Sequence, residues 1–116
     1  MNIKQILDIL GATNLTADTL LELEVQDACG ADLMSDVLAF VKEQGVLLTG
    51  LVNPQVIRTA EMMDMRCIVF VRGKVPNSAM LELAEDSGIA VLTTPLRLYE
   101  ACGRLYAAGL RGGTDS

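Results

Sequence analysis

Residues 46–71 read VLLTGLVNPQVIRTAEMMDMRCIVFV, and this stretch carries the strongest evidence for the fold class. It begins and ends with short apolar runs rich in β-branched residues, at 46–52 and 67–71, and apolar residues recur with helical spacing at 54–65 between them. Strands that are apolar on both faces are typical of a parallel sheet, because helices cover such a sheet on two sides. The stretch therefore predicts a strand, a helix and a second strand parallel to the first.

The same alternation continues toward the C-terminus. A helix is predicted at 78–87, a third strand at 89–92 and a last helix at about 96–108. Alternating strands and helices at this spacing predict right-handed βαβ crossovers. The expected fold class is therefore α/β, with a parallel or mainly parallel sheet and helices packed on it. The residues expected to face the sheet from these helices are Val56, Ile57, Ala60, Met63, Met80, Leu83, Ala84, Leu98, Ala101, Cys102 and Leu105.

The N-terminal third carries weaker patterns. A short amphipathic helix ending at Gly11 is predicted from the spacing of Ile3, Ile6, Leu7 and Leu10. Residues 14–24 favour a short strand and a turn, and residues 24–31 suit a strand. A second helix, ending at Gly45, is predicted from the spacing of Met34, Val37, Leu38 and Val41.

Composition narrows the class of protein. The 116 residues match one domain, expected over 1–110, with a flexible polar tail at 111–116. Hydrophobic residues make up 51% of the chain and aromatic residues only 3%, so the core is aliphatic. The net charge of −6 argues against a nucleic-acid partner. No apolar stretch approaches the ~20 residues of a membrane span, and residues 1–11 lack the features of a signal peptide.

The residues needed for common catalytic sites are missing from the sequence. It contains no histidine, which excludes Ser-His-Asp and Cys-His pairs within the chain, and it contains no phosphate-binding glycine loop and no C-x-x-C. Cys29, Cys67 and Cys102 are odd in number and far apart, which favours buried thiols in a reduced, cytoplasmic chain over a metal site. We therefore expect no enzyme activity, no cofactor and no metal.

The segment GADLMSDVLAFV, residues 30–41, places polar residues before an apolar run. Ser35 is predicted to cap a helix that starts near Asp36, and Asp36 in the first turn favours the helix dipole. Capping does not account for Asp32. Its carboxylate either anchors the turn or belongs to a polar site, and the sequence leaves both interpretations open.

Two Pro-containing pairs directly follow predicted strands. Asn53-Pro54 and Thr94-Pro95 each have the pattern of an N-cap residue followed by proline at the first helical position. Either they are helix caps only, or they contribute to a ligand site, because open α/β sheets bind ligands at the carboxyl ends of their parallel strands. The candidate ligand-binding residues, for a nucleotide or another anion, are Asp32, Thr49, Gly50, Asn53, Gly73 and Thr94.

Several segments together resemble the DRTGG domain family. The segments are GADLMSDVLAFV, residues 46–95 and LYEACGRLY, and the matching positions are Thr49-Gly50, Gly73, Pro76, Gly88-Ile89 and Thr94-Pro95. The resemblance covers roughly residues 20–108. The chain departs from the family at the motif that names it, because residues 51–54 read Leu-Val-Asn-Pro where Asp-Arg-Thr would lie.

The resemblance implies a fold similar to the N-terminal domain of HPr kinase/phosphorylase. It also implies a regulatory, dimer-forming module, since the family occurs within phosphotransacetylases and beside CBS domains in pyrophosphatases. The leading hypothesis is a non-catalytic regulatory or scaffold domain acting as a homodimer, which agrees with the apolar surplus (mean hydropathy +0.38). Its expected contact is the helix after Ser35 or the final helix, and a redox complex or a CBS-domain protein is a possible partner. The alternative is a sensor that binds a nucleotide or anion at the strand carboxyl ends.

Overall fold

The computed structural model describes residues 1–40 and 44–112. Five α-helices and five strands alternate along this part of the chain, with one 3-10 helix at Asp18–Glu22. The elements are α1 (Ile3–Leu10), β1 (Thr13–Asn14), β2 (Ala28–Gly30), α2 (Met34–Phe40), β3 (Val46–Thr49), α3 (Pro54–Met62), β4 (Cys67–Phe70), α4 (Ser78–Asp86), β5 (Ala90–Thr93) and α5 (Leu98–Ala107).

The strands form a single mainly parallel sheet, which confirms the predicted fold class. Their order is β1-β5-β4-β3-β2; β2 to β5 pair in parallel, and β1 pairs antiparallel with β5 at one edge. Thr49 pairs with Phe70, and Phe70 pairs with Thr93. The last residues of β3, β4 and β5 are therefore level, so the turns that follow them lie side by side.

Each face of the sheet has its own apolar core. Along β4, Cys67 and Val69 join the core formed with α1 and α5, whereas Ile68 and Phe70 join the core formed with α2, α3 and α4. All four side chains are fully buried. Consecutive crossovers of one hand that advance along a sheet in one direction place their helices on the same face, which accounts for α2, α3 and α4 lying together.

The predicted N-terminal helix is confirmed. Gly11 ends it in the left-handed conformation, with φ 58°. Its start is a capping box: the Gln5 N–H donates to Asn2 Oδ1 at 2.9 Å, and the Asn2 N–H donates to Gln5 Oε1 at 2.8 Å. This reciprocal pair satisfies two N–H groups that have no partner inside the helix.

The boundaries of several other elements differ from the predictions. The strand expected within 14–24 lies at Thr13–Asn14, and a 3-10 helix takes the place of the expected turn. The strand expected over 24–31 is shortened to Ala28–Gly30, and the strand expected over 46–52 ends at Thr49. The short pairing of β2 follows from its edge position, since β3 is its sole strand neighbour in the described sheet.

Two predictions fall partly outside the described residues. The helix expected to end at Gly45 begins at Met34, two residues before the predicted start near Asp36, and residues 41–43 lie outside the described ranges. Most of the tail expected at 111–116 also lies outside them. Within the described part, the Arg111 carbonyl accepts the Ala28 N–H at 3.1 Å, which places the chain beside the outer edge of β2.

Candidate functional site

The predicted site residues follow four neighbouring strands and lie where the carboxyl ends of these strands meet, which is called the carboxyl edge below. Asp32 comes after β2, Thr49 ends β3 and Gly50 follows it, Gly73 comes after β4, and Thr94 follows β5. Because these strands are parallel and adjacent, the turns after them meet at their shared carboxyl edge.

The Asp32 carboxylate connects the turns after β2 and β3. Its Oδ1 accepts the Thr49 hydroxyl at 3.0 Å and the Gly50 N–H at 2.7 Å. The Thr49 hydroxyl oxygen in turn accepts the Leu51 N–H at 3.1 Å. Thr49 is fully buried, so its hydroxyl is part of the turn's internal bonding. Two roles for Asp32 were left open by the sequence, and these contacts are those of a residue that anchors a turn.

Thr94 has a different role from the predicted helix cap. Helix α5 begins at Leu98 with Arg97 at the N-cap position, so Thr94-Pro95 does not open it and that prediction is wrong. The Thr94 hydroxyl donates to the Leu10 carbonyl at 2.9 Å and accepts the Leu96 N–H at 3.3 Å. A long-range contact with the end of α1 has therefore taken the hydroxyl away from capping.

Asn53 occupies the N-cap position of α3, with Pro54 following as predicted, but its side chain makes no cap hydrogen bond. The Val56 N–H, which the side chain would cap, donates to the Asn53 main-chain carbonyl at 3.1 Å. Within the described part of the chain, the buried Asn53 Oδ1 has no donor. The predicted cap chemistry of Asn53 is thus wrong, because the main chain has taken the N–H group that the cap needs.

The prediction for Ser35, within residues 30–41, is also wrong in detail. Helix α2 begins at Met34, so Ser35 lies inside the first turn and not at the cap position before Asp36. Asp36 lies in the first turn, as predicted. Both side chains are exposed. The polar contacts of this segment with the sheet edge therefore come from Asp32.

Arg72, which the sequence reasoning overlooked, adds a cation to this edge. Its backbone has φ 59°, and that of Gly73 has φ 68°. The Arg72 N–H donates to the Leu96 carbonyl and the Gly73 N–H to the Thr94 carbonyl, both at 2.8 Å. The turn after β4 is thereby held against the turn after β5.

The Arg72 guanidinium extends in the other direction, over Gly50 after β3. A Cβ built on residue 50 would lie 3.1 Å from both the Cζ and the Nε of Arg72, and closer still to Nη2. Within the described residues, the guanidinium forms neither a hydrogen bond nor an ion pair, although Asp32, on the turn after β2, accepts a hydrogen bond from the Gly50 N–H. The sequence carries only a weak indication of this contact: Gly50 comes directly after β3, and Arg72 lies two residues after the end of β4.

Charge is distributed unevenly around this edge. The turns at 71–77 and 94–97 carry Arg72, Lys74 and Arg97 but no acidic residue, although the chain has a net charge of −6. An unbalanced local charge of this kind attracts ligands of opposite sign. The turns after β4 and β5 are therefore locally basic on an acidic protein, whereas the turn after β2, on the other side of Gly50, carries Asp32.

Burial disfavours the thiolate form of the three cysteines, which is the form that acts as a nucleophile. Burial raises the pKa of the Cys67 thiol far above its ordinary value. Burial is also the main cause of the raised pKa values of Cys29 and Cys102.

Over residues 1–40 and 44–112, no group of three His, Cys, Asp or Glu side chains is placed to hold a metal ion. Within the same residues, no helix has both the length and the apolar character that a membrane crossing requires.

Comparison with known proteins gives a relation at the level of fold. No protein-family model and no curated protein matches the chain. A solved structure that is similar contains the CBS and DRTGG domains of the regulatory region of Clostridium perfringens pyrophosphatase, in complex with its activator diadenosine tetraphosphate. The TM-score is 0.75 at 19% sequence identity, and the match covers 90% of this chain. This chain spans 45% of that chain's length, and the likeness supports the DRTGG-like fold expected from the sequence.

Proposed function

We propose that this protein is a non-catalytic regulatory domain that senses a small anionic molecule, such as a nucleotide, at the carboxyl ends of its parallel strands. The observation that carries the proposal is the group of basic residues in the turns after β4 and β5, which contain no acid. Arg72, Lys74 and Arg97 belong to these turns, and their charge contrasts with the acidic remainder of the chain.

The turns at this edge are held in place before any ligand arrives. Asp32 fixes the turn after β3, and two main-chain hydrogen bonds from Arg72 and Gly73 hold the turns after β4 and β5 together. Such a preformed arrangement lowers the ordering cost of binding. The solved pyrophosphatase region of similar fold is regulatory and is complexed with a nucleotide activator, which further supports a sensor.

A thermal-shift panel of adenine nucleotides, inorganic phosphates and carboxylates tests this proposal. A ligand present at 100 times its Kd adds about 2.7 kcal/mol to the free energy of unfolding. We expect a stabilising anion whose effect declines as NaCl is raised, because added salt screens exposed charges. Lys4→Ala is the control for a distant loss of charge, since Lys4 lies on α1 and pairs with Asp8. A panel without any shift at millimolar ligand contradicts the sensor.

The second candidate is a homodimeric scaffold, and exposed apolar side chains favour it. Tyr99 is 91% exposed and Leu33 is 61% exposed. A Cβ on Gly30 would lie 3.5 Å from Leu98, the residue before Tyr99, and Leu33 follows Gly30 closely in the chain. Leu33 directly precedes α2 and Tyr99 lies in the first turn of α5, and these two helices are the alternative dimer contacts expected from the sequence.

Light scattering at micromolar concentration tests the dimer, since the monomer has a mass of 12.4 kDa. We expect Leu33→Ser combined with Tyr99→Ser to shift the population toward the monomer. Met62→Ser is the matched control, because Met62 is 73% exposed but lies at the opposite end of α3, away from this edge. A wild-type chain that is only monomeric refutes the dimer. The joined domains of the solved region make a CBS-domain protein the first partner to test, ahead of a redox complex.

A further inference from the structure

The backbone at Arg72 is held in a conformation that side chains seldom adopt. Residues other than glycine with positive φ are uncommon, and they persist where the surrounding structure holds them. The Arg72 N–H bond to Leu96 and the neighbouring Gly73 N–H bond to Thr94 provide that support. These two bonds set the direction in which the Arg72 side chain leaves the turn.

Gly50 provides the space into which that side chain extends. Its φ lies outside the left-handed region, so the backbone does not require glycine there. The guanidinium instead occupies the volume where a Cβ would lie. Gly50 therefore matters because it lacks a side chain, and any residue larger than glycine must displace the guanidinium.

The Arg72 guanidinium and the Asp32 carboxylate both lie against Gly50 without forming an ion pair with each other. Asp32 Oδ1 accepts two hydrogen bonds, from Thr49 and Gly50, and no ion pair joins Asp32 to Arg72 in the described part of the chain. The donors of Arg72 thus remain free beside the basic turns after β4 and β5. A planar guanidinium matches two oxygens of one phosphoryl group, because it presents parallel N–H donors.

We propose that Arg72, seated over Gly50, binds a phosphoryl group of the anionic ligand and so selects phosphorylated molecules over carboxylates. This inference rests on the sensor function proposed above. Lys74 and Arg97 add general attraction from the adjoining turns, and Arg72 supplies the directed contact. The ligand class is consequently a nucleotide or another molecule with a terminal phosphate chain.

Isothermal titration calorimetry with inorganic triphosphate, ATP and citrate tests this assignment. Arg72→Ala removes the guanidinium, whereas Gly50→Ala keeps the arginine and displaces it. Charged hydrogen bonds are worth enough that we expect either variant to weaken triphosphate and ATP binding about tenfold or more. Lys74→Ala is the comparison variant, because it removes the same charge from the same turn, and a loss of less than about threefold is expected since Lys74 supplies only general attraction and no directed contact.

Each outcome bears on one proposal or on both. Tight ATP binding by Arg72→Ala, or an equal loss with Lys74→Ala, overturns the Arg72 assignment and leaves the sensor function intact. Binding of citrate but not of the two phosphate probes by the wild type has the same meaning. If the wild type binds neither triphosphate, ATP nor citrate, the Arg72 assignment is wrong. If the thermal-shift panel also shows no stabilising ligand, the sensor function is wrong as well. Thermal unfolding of each variant checks that it is folded. If Arg72→Ala does not fold, the binding affinity of Gly50→Ala tests the Arg72 assignment.

Discussion

The guanidinium of Arg72 lies over Gly50 and occupies the space that a Cβ on residue 50 would fill. The two residues follow adjacent strands, β3 and β4, whose pairing brings Thr49 opposite Phe70. The contact therefore joins two turns at the carboxyl edge of the sheet. It also means that residue 50 controls the position of the Arg72 guanidinium.

Alanine substitutions should distinguish the roles of two glycines at this edge. Gly50→Ala should change the free energy of unfolding by no more than about 0.5 kcal/mol, because the displaced group is the end of a flexible side chain. Gly73→Ala should cost roughly 1–2 kcal/mol, because Gly73 has φ 68°, a conformation that strains an alanine. The space around a Cβ at this position is open, so the cost comes from the backbone alone. Urea unfolding measures both. Equal costs would contradict the view that Gly50 is needed for space and Gly73 for conformation.

Removal of the Asp32 carboxylate should destabilise the sheet edge. Asp32→Ala leaves the Thr49 hydroxyl and the Gly50 N–H, both on buried residues, without their acceptor. An unsatisfied buried donor costs about 1–3 kcal/mol. Asp32→Asn should cost less, because an amide oxygen can still accept. Urea unfolding decides the matter, with exposed Asp36→Asn as the charge-matched control. A stabilised Asp32→Asn chain would instead indicate a strained polar site.

The two asparagine caps should respond differently to alanine. Asn77 Oδ1 accepts the Met80 N–H at 2.9 Å, so Asn77→Ala should cost about 1 kcal/mol. Asn53 makes no such bond, and its buried oxygen has no donor among the described residues. Asn53→Ala should therefore cost less than about 0.5 kcal/mol. Thermal and urea unfolding of the pair provide the comparison, and an equal loss at Asn53 would show that its side chain does cap α3.

The buried thiol of Cys67 should make stability depend on alkaline pH. Burial raises its pKa in the folded chain above the unfolded value, so the folded state holds the proton more tightly. The resulting contribution is complete below the unfolded pKa of about 8.5 and declines as pH rises above it, by at most about 1.4 kcal/mol per pH unit. Urea unfolding under reducing conditions from pH 7 to pH 10 measures the slope.

Cys67→Ala is the comparison for this slope, since it removes the thiol and leaves the other titrating groups in place. Its overall stability will be lower because a buried atom is lost, so the slopes are compared and not the absolute values. The variant should lose less stability between pH 8.5 and pH 10 than the wild type. Parallel pH profiles would mean that Cys67 is not the group responsible.

Much of the architecture was predictable because burial imposes periods on a sequence. The apolar runs at 46–49 and 67–70 become fully buried strands, and the spacing of Val56, Ile57 and Ala60 becomes the buried face of α3. These patterns depend on neighbours close in sequence, so they can be identified without knowledge of the tertiary structure. The same holds for Gly11, whose role as a helix terminator is local.

The polar details were decided by tertiary contacts. Asn53 and Asn77 both occupy N-cap positions, yet only the Asn77 side chain caps its helix, because the main-chain carbonyl of Asn53 already accepts the Val56 N–H. Thr94 likewise looked like a cap, but its hydroxyl is bonded to Leu10 at the end of a distant helix. Competition between local and long-range hydrogen bonds determines such cases, and residue order alone does not record it.

Hydrophobic periodicity specifies which residues are buried, and it is enough to predict the α/β class, the mainly parallel sheet and the end of the sheet at which polar residues collect. That Asp32 anchors the turn after β3 and that Arg72 lies over Gly50 follows from the assembled structure alone. Both contacts join residues from different turns, and strand order and register bring those turns together. A side chain's partners depend on that register, and the register forms only when the whole sheet is assembled.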